Sequence, residues 1–199
     1  MKYIKKEFPS FNLHMIKTDK FKTINIEVVF NNEINKDKIT ITNFLSSIMA
    51  FTTKKYDTKI KFAQELEKLY AARVFSNNYR VGKYYVTDFE MRLLNDKYTE
   101  VGLLDKALSF LKEVLFNPNV SQNKFSVNSF NIIKNDELSM INRFKEDSKR
   151  YSILKLFEYM DKDSPISYNT RGYVEDLNKI TPENLYDFYK EIGRAHVWT

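Results

Sequence analysis

The sequence predicts an α+β domain, an antiparallel-rich sheet covered by helices on one face. Three observations lead there. Two pairs of stretches alternate apolar and polar residues with the period of a strand. The stretches between and after them repeat apolar residues at helical spacing. Glycine and proline number only 4 each in 199 residues, which leaves few tight turns and favours long regular elements.

The first pair of strands is Phe11–Lys17 (FNLHMIK) and Lys22–Phe30 (KTINIEVVF), where Ile24, Ile26 and Val28 face one way. Asp19 and Lys20 lie in the short connection, so the two are expected to form a hairpin. Ile39–Lys55 then has the spacing of an amphipathic helix, with Ile41, Phe44, Leu45, Ile48 and Met49 on one stripe. A second helix is expected over Thr58–Ala71, with Thr58 as N-cap. A second hairpin follows, Arg73–Arg80 with Lys83–Leu94 across Val81-Gly82. Its later strand sets Val86, Asp88, Glu90 and Arg92 on a wet face and Thr87, Phe89, Met91 and Leu93 on a dry one.

The rest of the chain reads as helical. Thr99–Phe116 carries a broad leucine-rich stripe, stopped by Asn117-Pro118-Asn119. A long helical region over Gln122–Met160 is expected to break near Glu146–Ser148. Pro165 opens a loop containing Gly172, and Val174–Leu177 forms one short turn. Thr181-Pro182-Glu183 starts a last helix, with Thr as N-cap and Pro at the first helical position.

Composition removes several classes of function. Hydrophobic content of 43% supports a folded core. With no cysteine there is no disulfide, no thiolate metal site and no cysteine nucleophile. The N-terminus has lysines but no apolar run behind them, and no stretch approaches a membrane span, so a soluble, cytoplasmic chain is expected. The net charge of +6 comes with a bias toward Lys, Asn, Ile, Phe and Tyr that suits an AT-rich gene. The basic residues read as spread over solvated faces, which argues against a nucleic-acid surface. No dinucleotide or phosphate-binding glycine motif is present.

Candidate chemistry is sparse. Asn43, Ser46 and Ser47 fall at i, i+3 and i+4 and share a small polar face beside the first helix's apolar stripe. Glu137 interrupts the apolar stripe of the long helix, among Phe130, Ile133 and Ile141. It is expected to pair with a nearby Lys or Arg, to lie at the stripe's edge, or to be a residual metal-site ligand. The histidines are His14, read as a half-buried strand residue, and His196. One usable histidine and no cysteine cannot build the usual three-ligand catalytic zinc site. A site combining His14 with Glu137 stays open as an alternative, as does a basic module that binds RNA or protein.

The last residues, 192–199 (IGRAHVWT), read as a translated sequencing adapter in which Trp198 is a reassigned stop codon. The natural domain is therefore taken as residues 1–190.

Four strings, FLSSIMAFTTKKYDT, KFAQELEKLYAARVFSN, DKALSFLKEVLFNP and YVEDLNKITPENLYDFYKE, resemble the N-terminal half of pitrilysin/insulinase-type zinc peptidases. The similarity is greater to their non-catalytic bacterial homologues, including the type associated with elongation factor P modification. It implies a pitrilysin-like N-terminal α/β domain, truncated before a second, homologous one. Active members with this pattern carry H-x-x-E-H on the first helix, two imidazoles for zinc and a glutamate to activate water. The resemblance places Asn43, Ser46 and Ser47 at those three positions, and Glu137, in KNDELSM, at the third ligand. It implies a catalytically inactive homologue with no catalytic residue, no metal and no cofactor of its own. Zinc is expected only in an active partner subunit, with which this chain would pair to bind peptide substrate, without nucleic acid or membrane.

Overall fold

The structure is a computed structural model. It describes the backbone of residues 1–197 and the side chains of residues 1–192. The elements run β1 (Lys2–Phe8), β2 (Phe11–Lys17), β3 (Thr23–Glu33), α1 (Lys36–Met49), α2 (Lys59–Lys68), β4 (Arg73–Val81), β5 (Tyr84–Leu94) and α3 (Leu103–Phe116). After them come the two-residue strands β6 (Val120–Ser121) and β7 (Lys124–Phe125), then α4 (Val127–Glu146), α5 (Ser148–Met160), α6 (Val174–Lys179) and α7 (Pro182–Val197). Trp198 and Thr199 lie outside the described residues, as does the side chain of His196.

The predicted class holds: an antiparallel sheet of order β3-β5-β4, with helices on one face. The first predicted hairpin does not. Phe11–Lys17 pairs with β1, which the sequence reading left out, from Lys2↔Lys17 to Phe8↔Phe11. Strand β3 pairs instead with β5, sixty residues on, in register from Thr23↔Leu94 to Glu33↔Tyr84. Hydrophobic pattern explains the choice. Ile24, Ile26, Val28 and Phe30 alternate in phase with Phe89, Met91 and Leu93, so this pairing puts both sets against the helices.

The β4–β5 hairpin is as predicted, turning at Gly82, whose φ of +58 suits a residue without a Cβ. Its wet face is drier than expected. Val86 and Asp88 are buried because β5 is the central strand and its neighbours' side chains cover them.

Helix α1 begins where Asn35 caps it, its side chain accepting from the Asp37 amide at 2.9 Å. It ends at Met49, six residues before the predicted end. The chain then leaves the helix because Thr53 pairs with Pro118 and the Lys54 amide donates to the Asn117 carbonyl at 2.8 Å. Helix α2 has the predicted Thr58 cap, but stops at Lys68 with Tyr70 and Ala71 at positive φ. Asp147 separates α4 from α5: it ends the first and caps the second through the Arg150 amide. Helix α7 opens on a reciprocal cap in which Thr181 and Asn184 exchange side-chain–backbone hydrogen bonds.

The core lies between the sheet and α1, α3, α4, α6 and α7. Phe44, Ile48, Met91, Leu103, Val114, Phe125 and Leu185 are all but sealed from water. Each such side chain contributes about 1.5–3 kcal/mol on burial. This core holds α1 between the sheet and α4, and so positions the polar face of α1.

Candidate functional site

Asn43, Ser46 and Ser47 lie on the side of α1 that meets β4, β5, α4 and the loop 169–173. That is why residues of small volume sit there. Asn43 is 4% exposed, Ser46 2% and Glu137 4%, while Ser47 is half-buried, so most of the face is interior.

Each member has partners inside the fold. The two N–H groups of the Asn43 amide donate to the Tyr85 hydroxyl and the Thr170 carbonyl, both at 2.8 Å, and the Ile39 carbonyl lies within 3.2 Å of the same nitrogen. Tyr85 in turn donates to the same Thr170 carbonyl at 2.8 Å. The Ser46 hydroxyl donates to the Asn43 carbonyl and accepts from Asn78 Nδ2 at 2.6 Å. Asn78 Oδ1 accepts from Thr87 at 2.8 Å. The Ser47 hydroxyl donates to Glu137 Oε1 at 2.5 Å. Of the four sequence-predicted residues, Ser47 and Glu137 therefore meet, and Asn43 and Ser46 form a second, adjoining network.

The loop closes over this region by close approach. Gly172 has φ +90, and a Cβ built there would lie 2.7 Å from Thr40 Oγ1 and 3.0 Å from Thr40 Cα. The same Thr40 hydroxyl accepts from the Tyr173 amide at 3.1 Å. Asn169 braces the turn, its side chain receiving the Arg171 amide and donating to the Gly172 carbonyl. Arg171, exposed at the tip, is the cation whose charge reaches both Glu137 and Tyr85.

Burial raises the Glu137 pKa above the ordinary carboxylate value, and the Ser47 hydrogen bond and the charge of Arg171 pull it back only in part. Among the described residues no cation pairs with it directly, and a hydroxyl donor and a more distant guanidinium stand in place of an ion pair. Tyr85 is likewise pushed upward by burial.

These donors do not fit a zinc ion. Asn43 turns an N–H toward the site, and that nitrogen has no lone pair to give. The Ser47 hydroxyl spends its proton on the one carboxylate available. Among the described residues, no group of three or more His, Asp or Glu side chains could hold a metal. His14 is exposed rather than half-buried. It sits on the β1–β2 hairpin with Tyr3 as its partner at 2.7 Å, in a different sheet from the strands that line this site.

Sequence reasoning missed Tyr85, Asn78, Thr170 and Arg171. The strand alternation did hold a signal for one of them, Tyr85. Thr87 shares the phase of Phe89 and Met91, so a polar residue was due on the helix side of β5, and Tyr85 continues that phase.

No protein-family model matches the chain. It is 28% identical over 189 residues to a Bacillus subtilis (strain 168) protein named "Probable inactive metalloprotease YmfF", covering 94% of this chain and 44% of that one. A crystal structure of a conserved protein from Enterococcus faecalis V583 superposes with a TM-score of 0.90 at 27% identity, over 96% of this chain and 45% of that one. The crystal structure of pitrilysin superposes with a TM-score of 0.65 at 14% identity, over 95% of this chain and 19% of that one. The chain spans less than half the length of the relatives it matches. The chain thus has a pitrilysin-like fold and is similar in sequence to part of a protein named as a probable inactive metalloprotease.

Proposed function

We propose that this chain is the N-terminal half-domain of a catalytically inactive, cytoplasmic peptidase homologue that pairs with an active pitrilysin-like subunit and contributes surface for holding peptide. The observation that carries the reading is the state of Asn43, Ser46 and Ser47. At the positions where the resemblance expects two imidazoles and a general base, this chain has three short side chains already engaged in structural hydrogen bonds. Serine cannot take a proton from water at neutral pH, and a buried glutamate held by one serine cannot complete a metal site alone. Strand β4 supports the peptide-holding part. It is an edge of the sheet, so its outward backbone groups are free to pair with an added strand, beside the Asn78–Ser46 hydrogen bond.

The test is calorimetric titration of the chain with zinc, together with a hydrolysis assay on a mixed peptide library. No stoichiometric zinc binding and no cleavage are expected. One zinc per chain with cleavage abolished by Glu137→Gln would overturn the reading. Co-purification with an H-x-x-E-H-bearing pitrilysin-like subunit from the same cell tests the pairing. A full-length protein that never retains such a subunit would remove that part.

A further inference from the structure

Strand β4 joins β5 through a two-residue turn that the pair Val81↔Tyr84 closes. Such a closing pair exchanges both of its hydrogen bonds, and bonded and non-bonded pairs then alternate along an antiparallel ladder. Phe75, Asn77 and Tyr79 therefore turn their backbone groups toward β5. Val74, Ser76, Asn78 and Arg80 turn theirs outward, off the edge of the sheet. Among the described residues these outward groups have no other backbone or side-chain partner. The same four residues sit opposite Met91, Phe89, Thr87 and Tyr85 in the ladder, so their side chains lie on the helix side. One row thus offers both its backbone and its side chains to an added strand.

That row ends in positive charge. Arg80 is half-buried, and one of its five N–H groups donates to the Pro165 carbonyl at 2.7 Å. Its ladder partner Tyr85 donates to the Thr170 carbonyl at 2.8 Å, so the segment from Pro165 to Arg171 runs past the Arg80 end of the strand. Arg171 is exposed at the tip of that segment, and its guanidinium has no hydrogen bond or ion pair among the described residues. The carboxylate that feels its charge, Glu137, is buried and turned to Ser47. Neither guanidinium therefore meets a carboxylate of the described chain directly. A guanidinium can take a carboxylate through two parallel N–H···O bonds, which fixes direction as well as charge.

We propose that β4 takes up an extended peptide that carries a carboxylate. The peptide backbone pairs with the outward groups of Val74, Ser76 and Asn78, and the carboxylate is clamped by Arg80 and Arg171. A neutral peptide loses the clamp, and a basic one meets like charge. An acidic side chain and a free C-terminus share this chemistry. The inference rests on the peptide-holding part of the proposed function and names the kind of peptide held.

The test is fluorescence anisotropy of the 199-residue chain at low salt with N-terminally labelled octapeptides of alternating Thr and Val. One amidated series carries a single Glu walked along the peptide, and a second carries Gln in its place. A further peptide keeps the plain sequence with a free C-terminal carboxylate. Glu is expected to bind at least about tenfold tighter than Gln at one position or more, with the advantage shrinking as salt is added. A gain confined to the free acid assigns the clamp to the peptide's C-terminus. Arg171→Gln changes an exposed residue, and Arg80→Lys keeps the charge but not the fork. Each should remove most of the preference and leave the affinity of the Gln peptide unchanged. N-methylation of alternate peptide residues should abolish binding in one phase and spare it in the other, because only one edge of an added strand faces β4. Glu, Gln and free-acid peptides that bind alike, or a preference indifferent to both arginine variants, would overturn the carboxylate clamp and leave the peptide-holding reading standing. No binding by any of the peptides would overturn both.

Discussion

The two faces of one sheet treat buried polar groups in opposite ways. On the helix side, Asn43, Ser46 and Glu137 are sealed from water, and no buried polar atom of theirs lacks a partner. On the outer side, Asp88 is almost as inaccessible yet keeps an unpaired oxygen. A fully satisfied polar network rigidifies a fold, and an unpaired buried oxygen weakens it. The polar face of α1 is thus part of the packed structure.

Four substitutions probe that contrast. The largest effect is expected from Ser46→Glu, which would place a carboxylate at a 2% exposed position beside Asn78. Without a metal or cation to receive it, the charge should destabilise the fold by about 3 kcal/mol or more. Urea unfolding measures this, and an unchanged midpoint would mean that the site is open after all. Gly172→Ala should cost about 2–3 kcal/mol, because the residue has φ +90 and its Cβ would strike Thr40. Separation of the 169–173 loop from α1 should show as faster amide exchange at Tyr173.

Glu137→Gln should act in the other direction. The folded pKa of Glu137 is raised, so the native state holds its proton at pH values where the unfolded chain has released it. The carboxylate is therefore without penalty below the ordinary glutamate range. It lowers stability as pH climbs from there through the raised folded value, and the loss stays constant above. The glutamine variant, which keeps an oxygen for Ser47, should be more stable by about 1 kcal/mol at neutral pH and equal to the parent in acid. For a chain of this size that is roughly 2–4 °C in Tm. Asp88→Asn should follow the same pH pattern with a smaller gain, under about 1 kcal/mol, since Asp88 too is raised by burial and by Glu27 and Glu90. Urea unfolding at acid and neutral pH measures this, and an unchanged stability at neutral pH would count against a burial cost at Asp88.

What was local in the molecule was legible in the chain. The caps at Thr58 and Thr181, the turn at Gly82, the break at Asp147 and the apolar stripes of α1, α3 and α4 follow from residues a few positions apart. The polar face of Asn43, Ser46 and Ser47, and the interruption of a stripe by Glu137, could be read in the same way. The partners of those residues could not. Ser47 meets Glu137 across 90 positions, Asn43 reaches Tyr85 across 42 and Thr170 across 127. Nothing in a local pattern marks Thr170 as the carbonyl that closes the network.

The strands show the same division. Alternation alone determined that residues 11–17 and 23–30 are extended and which of their side chains match, because side-chain direction in a strand has a fixed period of two. Which strand each would pair with was decided only by the folded core. Pairing β3 with β5 buries Ile24, Ile26 and Val28 together with Phe89 and Met91 against α1. Pairing β3 with β2 offered a shorter loop but far less apolar surface to remove from water. Loop closure grows only logarithmically with length, whereas burial grows with area, and so the distant strand was taken.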